Sequence, residues 1–151
     1  MIEIVSTREQ LERCWAIRTE VFVEEQRVPV EEEVDALDEA PETIHLLATR
    51  DGRDLGTARI LPEEPGHCHI GRVAVLAAAR GLGVGRELMD AAGQVALERC
   101  ASADGTVEIR LSSQEQAMGF YLSCGYELLE GERYLDAGIW HRDMALVLRT
   151  S

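Results

Sequence analysis

Between residues 79 and 88 the chain reads ARGLGVGREL, with glycines at 81, 83 and 85, directly after the apolar run VAVLAAA (73–79) and directly before a helical stretch. No other feature limits the fold as much. Glycines so spaced let the main chain turn tightly and gather bare N–H groups at the positive end of a helix, the device shared by phosphate-holding loops. Two such loops are excluded by their letters. A Walker A loop requires GxxxxGK, and this chain has no lysine, all 15 of its basic residues being arginine. The dinucleotide fingerprint GxGxxG fails because the sixth position is Arg86 counted from Gly81 and Leu88 counted from Gly83. The alternative to a ligand loop is a turn that lets strand and helix pack closely.

The flanking pattern extends this nucleus to a domain. Residues 2–5 are β-prone, Ser6 or Thr7 can cap a helix running to about Phe22, and Leu11, Cys14, Trp15, Val21 and Phe22 form its apolar stripe. Arg18 stands where that stripe calls for an apolar residue. Strands are expected at 44–50, 55–61 and 69–76, the first two joined by a hairpin turn at RDGRD. A helix follows from Val84 to about Cys100, then a strand at 106–112, a helix at 114–124 stopped by Gly125, and strands at 126–134 and 140–148. This order predicts a single α/β (α+β) domain over 1–151, a mixed, mostly antiparallel sheet flanked by helices.

Charge narrows the partners. With 28 acidic residues against 15 basic ones the net charge is −13, which repels nucleic acid and anionic membrane surfaces and favours a cationic small molecule. Nine of the carboxylates lie between Glu24 and Glu42, with Arg27 the single cation there. Such a run is either a solvated face or the lining of a cleft. No apolar run is long enough to cross a bilayer, and no basic start with an apolar core opens the sequence, so a soluble cytoplasmic protein is expected. The cysteines at 14, 68, 100 and 124 include no CxxC pair and suggest neither metal nor disulfide. The triplet His67-Cys68-His69 is read the same way, because neighbours in a strand point to opposite faces.

Arg80, two free positions, Gly83, one free position and Gly85 form the pattern R/Q-x-x-G-x-G/A, which resembles the acetyl-CoA loop of the GNAT superfamily of N-acetyltransferases. Two other stretches are similar to a branch of that superfamily, the small bacterial proteins of YjcF and ElaA type. They are VFVEEQRVPVEEEVDALD (21–38) and FYLSCGY (120–126) with LDAGIWHRDM (135–144). Trp140 stands where the family has proline, Ser112 and Ser113 where it has Asn-Ala, and Tyr126 where it has phenylalanine. The resemblance implies a central sheet splayed at the acetyl-CoA site. It implies that the amides of Gly81, Leu82, Gly83, Val84, Gly85 and Arg86, with Arg80, hold the CoA pyrophosphate. Val73, Ala74 and Val75 then present main chain to the pantetheine arm, and Gln114 closes the coenzyme site. Tyr121, the family's FY tyrosine, is implied to protonate the departing thiolate, and a homodimer is compatible with the fold.

Residue chemistry supplies the remaining roles. Acyl transfer from a thioester to an amine needs a neutral nucleophile, an oxyanion partner and a proton for the thiolate. Since an alkylamine is mostly protonated at neutral pH, a base must take its proton; Glu25 and His141 are the candidates. Their plain alternatives are a solvated glutamate and a packed core histidine. Near Val75, main-chain amides would polarise the carbonyl. Arg18, Phe22, Glu33 and Asp35 are candidates for the acceptor side, Arg18 either facing the acceptor or held in a buried ion pair. The expected activity is an acetyl-CoA-dependent N-acetyltransferase acting on a primary amine by direct attack. The alternatives are a non-catalytic acyl-CoA binding or sensing module and an interaction domain with an acidic face.

Overall fold

The protein is described as a computed structural model over residues 1–150. Eight strands form one sheet: β1 (Ile2–Ile4), β2 (Ile44–Arg50), β3 (Arg53–Pro62), β4 (His67–Val75), β5 (Thr106–Gln114), β6 (Glu127–Leu128), β7 (Tyr134–Asp136) and β8 (Ile139–Arg149). Their spatial order is β1-β2-β3-β4-β5-β8-β6, with β7 also on β8, and every pairing is antiparallel except β4 with β5. The mixed, mostly antiparallel α/β fold expected from the sequence is the one found. Among the described residues no helix is long and apolar enough to cross a membrane.

Helices α1 (Arg8–Arg18) and α3 (Val84–Cys100) cover opposite faces of the sheet. On the α3 side, Leu88, Met89, Ala92 and Ala96 meet Leu46, Ala58, Ile60, Ile70 and Ile109 in the main core. On the α1 side, Cys14, Ile17 and Val21 meet Leu47 and Ala74 in a smaller one. Leu46 and Leu47 therefore bury into different cores from adjacent positions, as the two-residue period of a doubly covered strand requires. This is why residues 44–48 are buried without a break, His45 included.

One open choice is settled and two elements differ from the sequence reading. Thr7, not Ser6, caps α1, in a box with Gln10: Thr7 Oγ1 accepts from the Gln10 amide while Gln10 Oε1 accepts from Thr7 N–H. The first helix does not stay α to Phe22; from Thr19 to Glu25 it widens into a π-turn, followed by the four-residue helix α2 (Val30–Glu33) and a 3₁₀ turn at Ala36–Glu39. Seven residues are too few for side-chain periodicity to separate those helical types. The expected strand 126–134 is two short pieces, β6 and β7, because the polar stretch containing Gly131 (φ 131°) breaks it. The final helix, α4 (Met118–Ser123), is entered through a 3₁₀ turn at Glu115–Ala117 and ends at left-handed Gly125 as expected.

Candidate active site

The parallel pair β4 and β5 is joined at only three positions, His67 with Glu108, Cys68 with Ile109 and His69 with Arg110. Both strands then run on, β4 to Val75 and β5 to Gln114, without touching. The cause lies in β4: opposite β3, Arg59 pairs with Gly71 and Thr57 with Ala74, so Arg72 and Val73 together face the single residue Ala58. This one-residue bulge, with Arg72 at φ 51°, bends β4 away from β5. Beyond it Val73 and Val75 turn their side chains to the α3 core and Ala74 to the α1 core, leaving the β5-facing main chain of this segment without a strand partner. A V-shaped gap opens in the middle of the sheet.

At the end of β4 the chain turns through the glycine loop into α3. Gly81 (φ 85°) and Gly83 (φ 81°) occupy the left-handed region, and a Cβ at either would meet nothing within 4 Å. Backbone conformation, not crowding, demands glycine there. Gly85 has the opposite reason: it lies inside α3, and a Cβ would come to 3.2 Å from Phe120 Cζ. Helix α3 has no side-chain cap, so the amides at its start are left pointing out of the loop. A tight turn made only for packing would crowd these glycines; the space around the Cβ positions of Gly81 and Gly83 is open. The observation fits an anion held by main chain.

The end of the π-turn reaches both arms of the V. Glu25 makes a two-pronged ion pair with Arg80, both N–O distances 2.9 Å, while Arg80 Nε donates to the Val75 carbonyl at 3.1 Å. One residue on, Gln26 Oε1 accepts from Gln114 Nε2 at 2.6 Å. Glu25, Arg80, Val75 and Gln114, proposed separately from the sequence, are thus brought together. Gln26 was not among the expected site residues, and its signal was present: it lies in the EEQ run just before Pro29.

His141, on β8, pairs across the sheet with Gln114. Its residue is 8% exposed, and Nδ1 donates to the Ile139 carbonyl at 2.7 Å, since a carbonyl only accepts. The neutral ring then has its lone pair on Nε2. That atom has no partner among the described residues, and it is not among the side-chain atoms sealed from solvent without one. Tyr121 sits in α4 with its ring edge-on to Phe120, centroids 5.1 Å apart. Burial pushes its phenol up to about 12, and its hydroxyl has no hydrogen-bond partner among the described residues.

The acceptor-side candidates separate. Phe22 packs on the α1 core. Arg18 is 1% exposed and is bonded to Glu33 Oε1 (2.5 Å), Asp38 Oδ1 (2.7 Å) and Oδ2 (3.0 Å), and the Glu33 carbonyl (2.7 Å). Glu33 is 3% exposed. Arg59, itself buried, adds bonds to Asp35 and Asp38, and Arg72 reaches the Glu33 carbonyl at 3.2 Å. The geometry therefore locks Arg18 and Glu33 inside the fold and leaves Asp35 at its rim. Arg59, Arg72 and Asp38 were missed in the sequence because these partners are 20 to 39 residues away. Burial raises the Glu33 carboxyl above its ordinary range; at Asp38 burial is outweighed by Arg18, which holds it at about 2. Cys68 is fully buried while His67 and His69 are half exposed on the opposite face beside Glu108 and Glu63, so the triplet is divided by the sheet.

Residues 5–148 match the family model described as an acetyltransferase (GNAT) domain. The chain is 37% identical over 141 residues to the uncharacterized N-acetyltransferase YjcF of Bacillus subtilis (strain 168), covering 93% of this chain and 95% of that one. An acyl-CoA N-acyltransferase from Pseudomonas aeruginosa superposes with a TM-score of 0.81 at 35% identity, covering 96% of this chain and 99% of that one. Escherichia coli ElaA superposes with a TM-score of 0.83 at 29% identity, covering 96% and 98%.

Proposed function

Because the chain belongs to the GNAT acetyltransferase family, in its YjcF- and ElaA-like branch, we propose that it transfers an acetyl group from acetyl-CoA to a primary amine by direct attack. The observation that carries this reading is the gap between β4 and β5 ending on an open, uncapped helix start. Main-chain amides of Gly81 to Arg86 take the pyrophosphate, the β4 edge from Val73 to Val75 pairs with the pantetheine amides, and the thioester lies in the V.

The chain's own groups then have distinct tasks. A main-chain amide near Val75 polarises the thioester carbonyl. His141 Nε2, whose lone pair is free, accepts a proton from the acceptor's ammonium directly or through a water, so that the neutral amine attacks. Tyr121, protonated at neutral pH, gives its proton to the leaving CoA thiolate; carbon–nitrogen bond formation and carbon–sulfur cleavage leave an amide and free CoA. Glu25 is the second base, available once Arg80 turns to the phosphates. Exposed Glu24, Glu31 and Glu32 beside the V favour a cationic small-molecule acceptor, since Arg18, Arg59 and Arg72 neutralise only the inner carboxylates of that segment. Four free thiols accord with a reducing, cytoplasmic setting.

One observation favours a second reading, an acyl-CoA binding module without turnover: Glu25 is fully engaged by Arg80. Two measurements separate the readings. Calorimetric titration with acetyl-CoA should show binding, and free-thiol release with a panel of polyamines, aminoglycosides and amino-acid amines should show turnover. Binding without release across the panel would favour the module; no binding at millimolar concentration would remove both.

A further inference from the structure

The face of β8 that carries His141 also carries Asp143, and it is shared with Tyr134 on β7 and Ser112 on β5 through the pairs Tyr134–His141 and Ser112–Asp143. None of these three residues has a part in the reaction as described so far. Their bonds are nevertheless directional. The Tyr134 hydroxyl donates to Asp143 Oδ1 at 2.6 Å, and having only one proton it accepts from Ser112 Oγ. Burial and the Asp143 carboxylate both raise the phenol above its ordinary value, so it remains a donor. Clamped at its far end, the Tyr134 ring lies over the imidazole of His141 with centroids 6.0 Å apart and planes 20° from parallel.

His141 is consequently held on two sides. The Ile139 carbonyl takes Nδ1–H at 2.7 Å, which sets the tautomer as long as the ring keeps its plane, and the tyrosine ring limits rotation out of that plane. Without the stack the imidazole can turn, which takes Nε2 from the gap and breaks the Nδ1–H bond that sets the tautomer. The stack removes that freedom.

We propose that Tyr134, clamped by Asp143 and Ser112, is a positioning residue that holds the ring plane and the Nδ1–H tautomer of His141, so that Nε2 faces the reacting amine. This rests on the reading of His141 as a base. It predicts that Tyr134 acts on turnover only through His141 and leaves coenzyme binding alone.

Nitrogen-15 NMR of the imidazole nitrogens tests the geometry without any substrate, with His141 assigned by its absence from His141→Gln. The parent protein should show His141 as a single Nδ1–H tautomer, and Tyr134→Leu should show averaged ring nitrogens. The same His141 spectrum in Tyr134→Leu would overturn the proposal. Thiol release from acetyl-CoA, with the most active amine of the panel above, supplies the second readout. In Tyr134→Leu kcat should fall roughly tenfold, as misplacing a reacting group does, with KM for acetyl-CoA within about twofold of the parent. In a His141→Gln background the same change should add nothing; an equal further fall there would also overturn it. Should Tyr134→Leu fail to fold, Tyr134→Phe and Asp143→Asn keep the ring and carry the same NMR reading, a loosened tautomer supporting the clamp and an unchanged one removing it. If His141→Gln keeps the parent kcat, the base assignment fails on its own account, and Tyr134 loses its part in the reaction whatever the spectra show.

Discussion

Tyr121 keeps its proton far above neutral pH because burial disfavours the phenolate, and its hydroxyl makes no bond among the described residues that would have to be broken before it could act. Tyr121→Phe should therefore slow thiol release by about 10²-fold, the lower range for loss of a general acid, while calorimetry finds acetyl-CoA affinity unchanged; a parent-like rate would place the proton donor elsewhere. At Arg18 the expectation concerns stability. Four of its bonds run to Glu33 and Asp38, both nearly inaccessible to solvent, so Arg18→Met takes the central cation from two buried carboxylates and leaves Asp38 to Arg59 and Glu33 to the longer contact with Arg72. Removing one partner of such a network costs about 3 to 5 kcal/mol, which urea unfolding should register. A loss under 1 kcal/mol would mean that the carboxylates take up protons or water instead. The sequence marked Arg18 as out of place on an apolar stripe but left its role open, because its partners lie 15 and 20 residues on, in a segment whose path composition does not reveal.

Among the elements, the glycine loop with α3 was legible almost letter by letter, since glycine spacing and a seventeen-residue amphipathic pattern are both local signals. The bulge in β4 was not. Nothing in GRVAVL distinguishes a regular strand from one that carries an extra residue, because the distinction is made by the partner strand through Ala58. The π-turn was hidden for a related reason, its widened repeat being shorter than the period needed to see it. The two kinds of glycine in the loop give a prediction at this scale. Gly83→Ala forces a side chain into the left-handed region, which costs about 1 to 2 kcal/mol, and it should weaken acetyl-CoA binding together with stability. Gly85→Ala meets the edge of the Phe120 ring and, at ordinary contact distance, Val75, and sits in helical geometry, so its stability change, read by denaturant titration, should be under 1 kcal/mol. Equal losses for both would contradict the division between backbone conformation and close approach.

Over the whole molecule the acidity that looked like one long cleft lining is divided. The inner carboxylates at 33, 35 and 38 are matched by Arg18, Arg59 and Arg72, and only the outer ones remain to colour the surface. That division has a pH signature. Asp38 titrates at about 2 in the folded protein against an ordinary 3.8, so the unfolded chain binds its proton first as the solution is acidified. Its stabilisation is complete above about pH 4 and is lost as the pH falls toward 2, amounting to roughly 2 kcal/mol. Glu33, shifted the other way by burial, takes up its proton more readily in the folded state and offsets part of that loss. Denaturant midpoints measured from pH 5 down to pH 2 should fall for the parent and fall less for Asp38→Asn. The sheet itself is bounded by very short strands, three residues in β1 and β7 and two in β6, while a stretch of main chain without a strand partner lies inside, along the V. Bare peptide groups on an outer rim would invite a neighbouring molecule to zip on and begin an aggregate. Sunk between two diverging strands, the same groups are shielded from another polypeptide's ribbon, so the protein leaves a strand edge unpaired without becoming sticky.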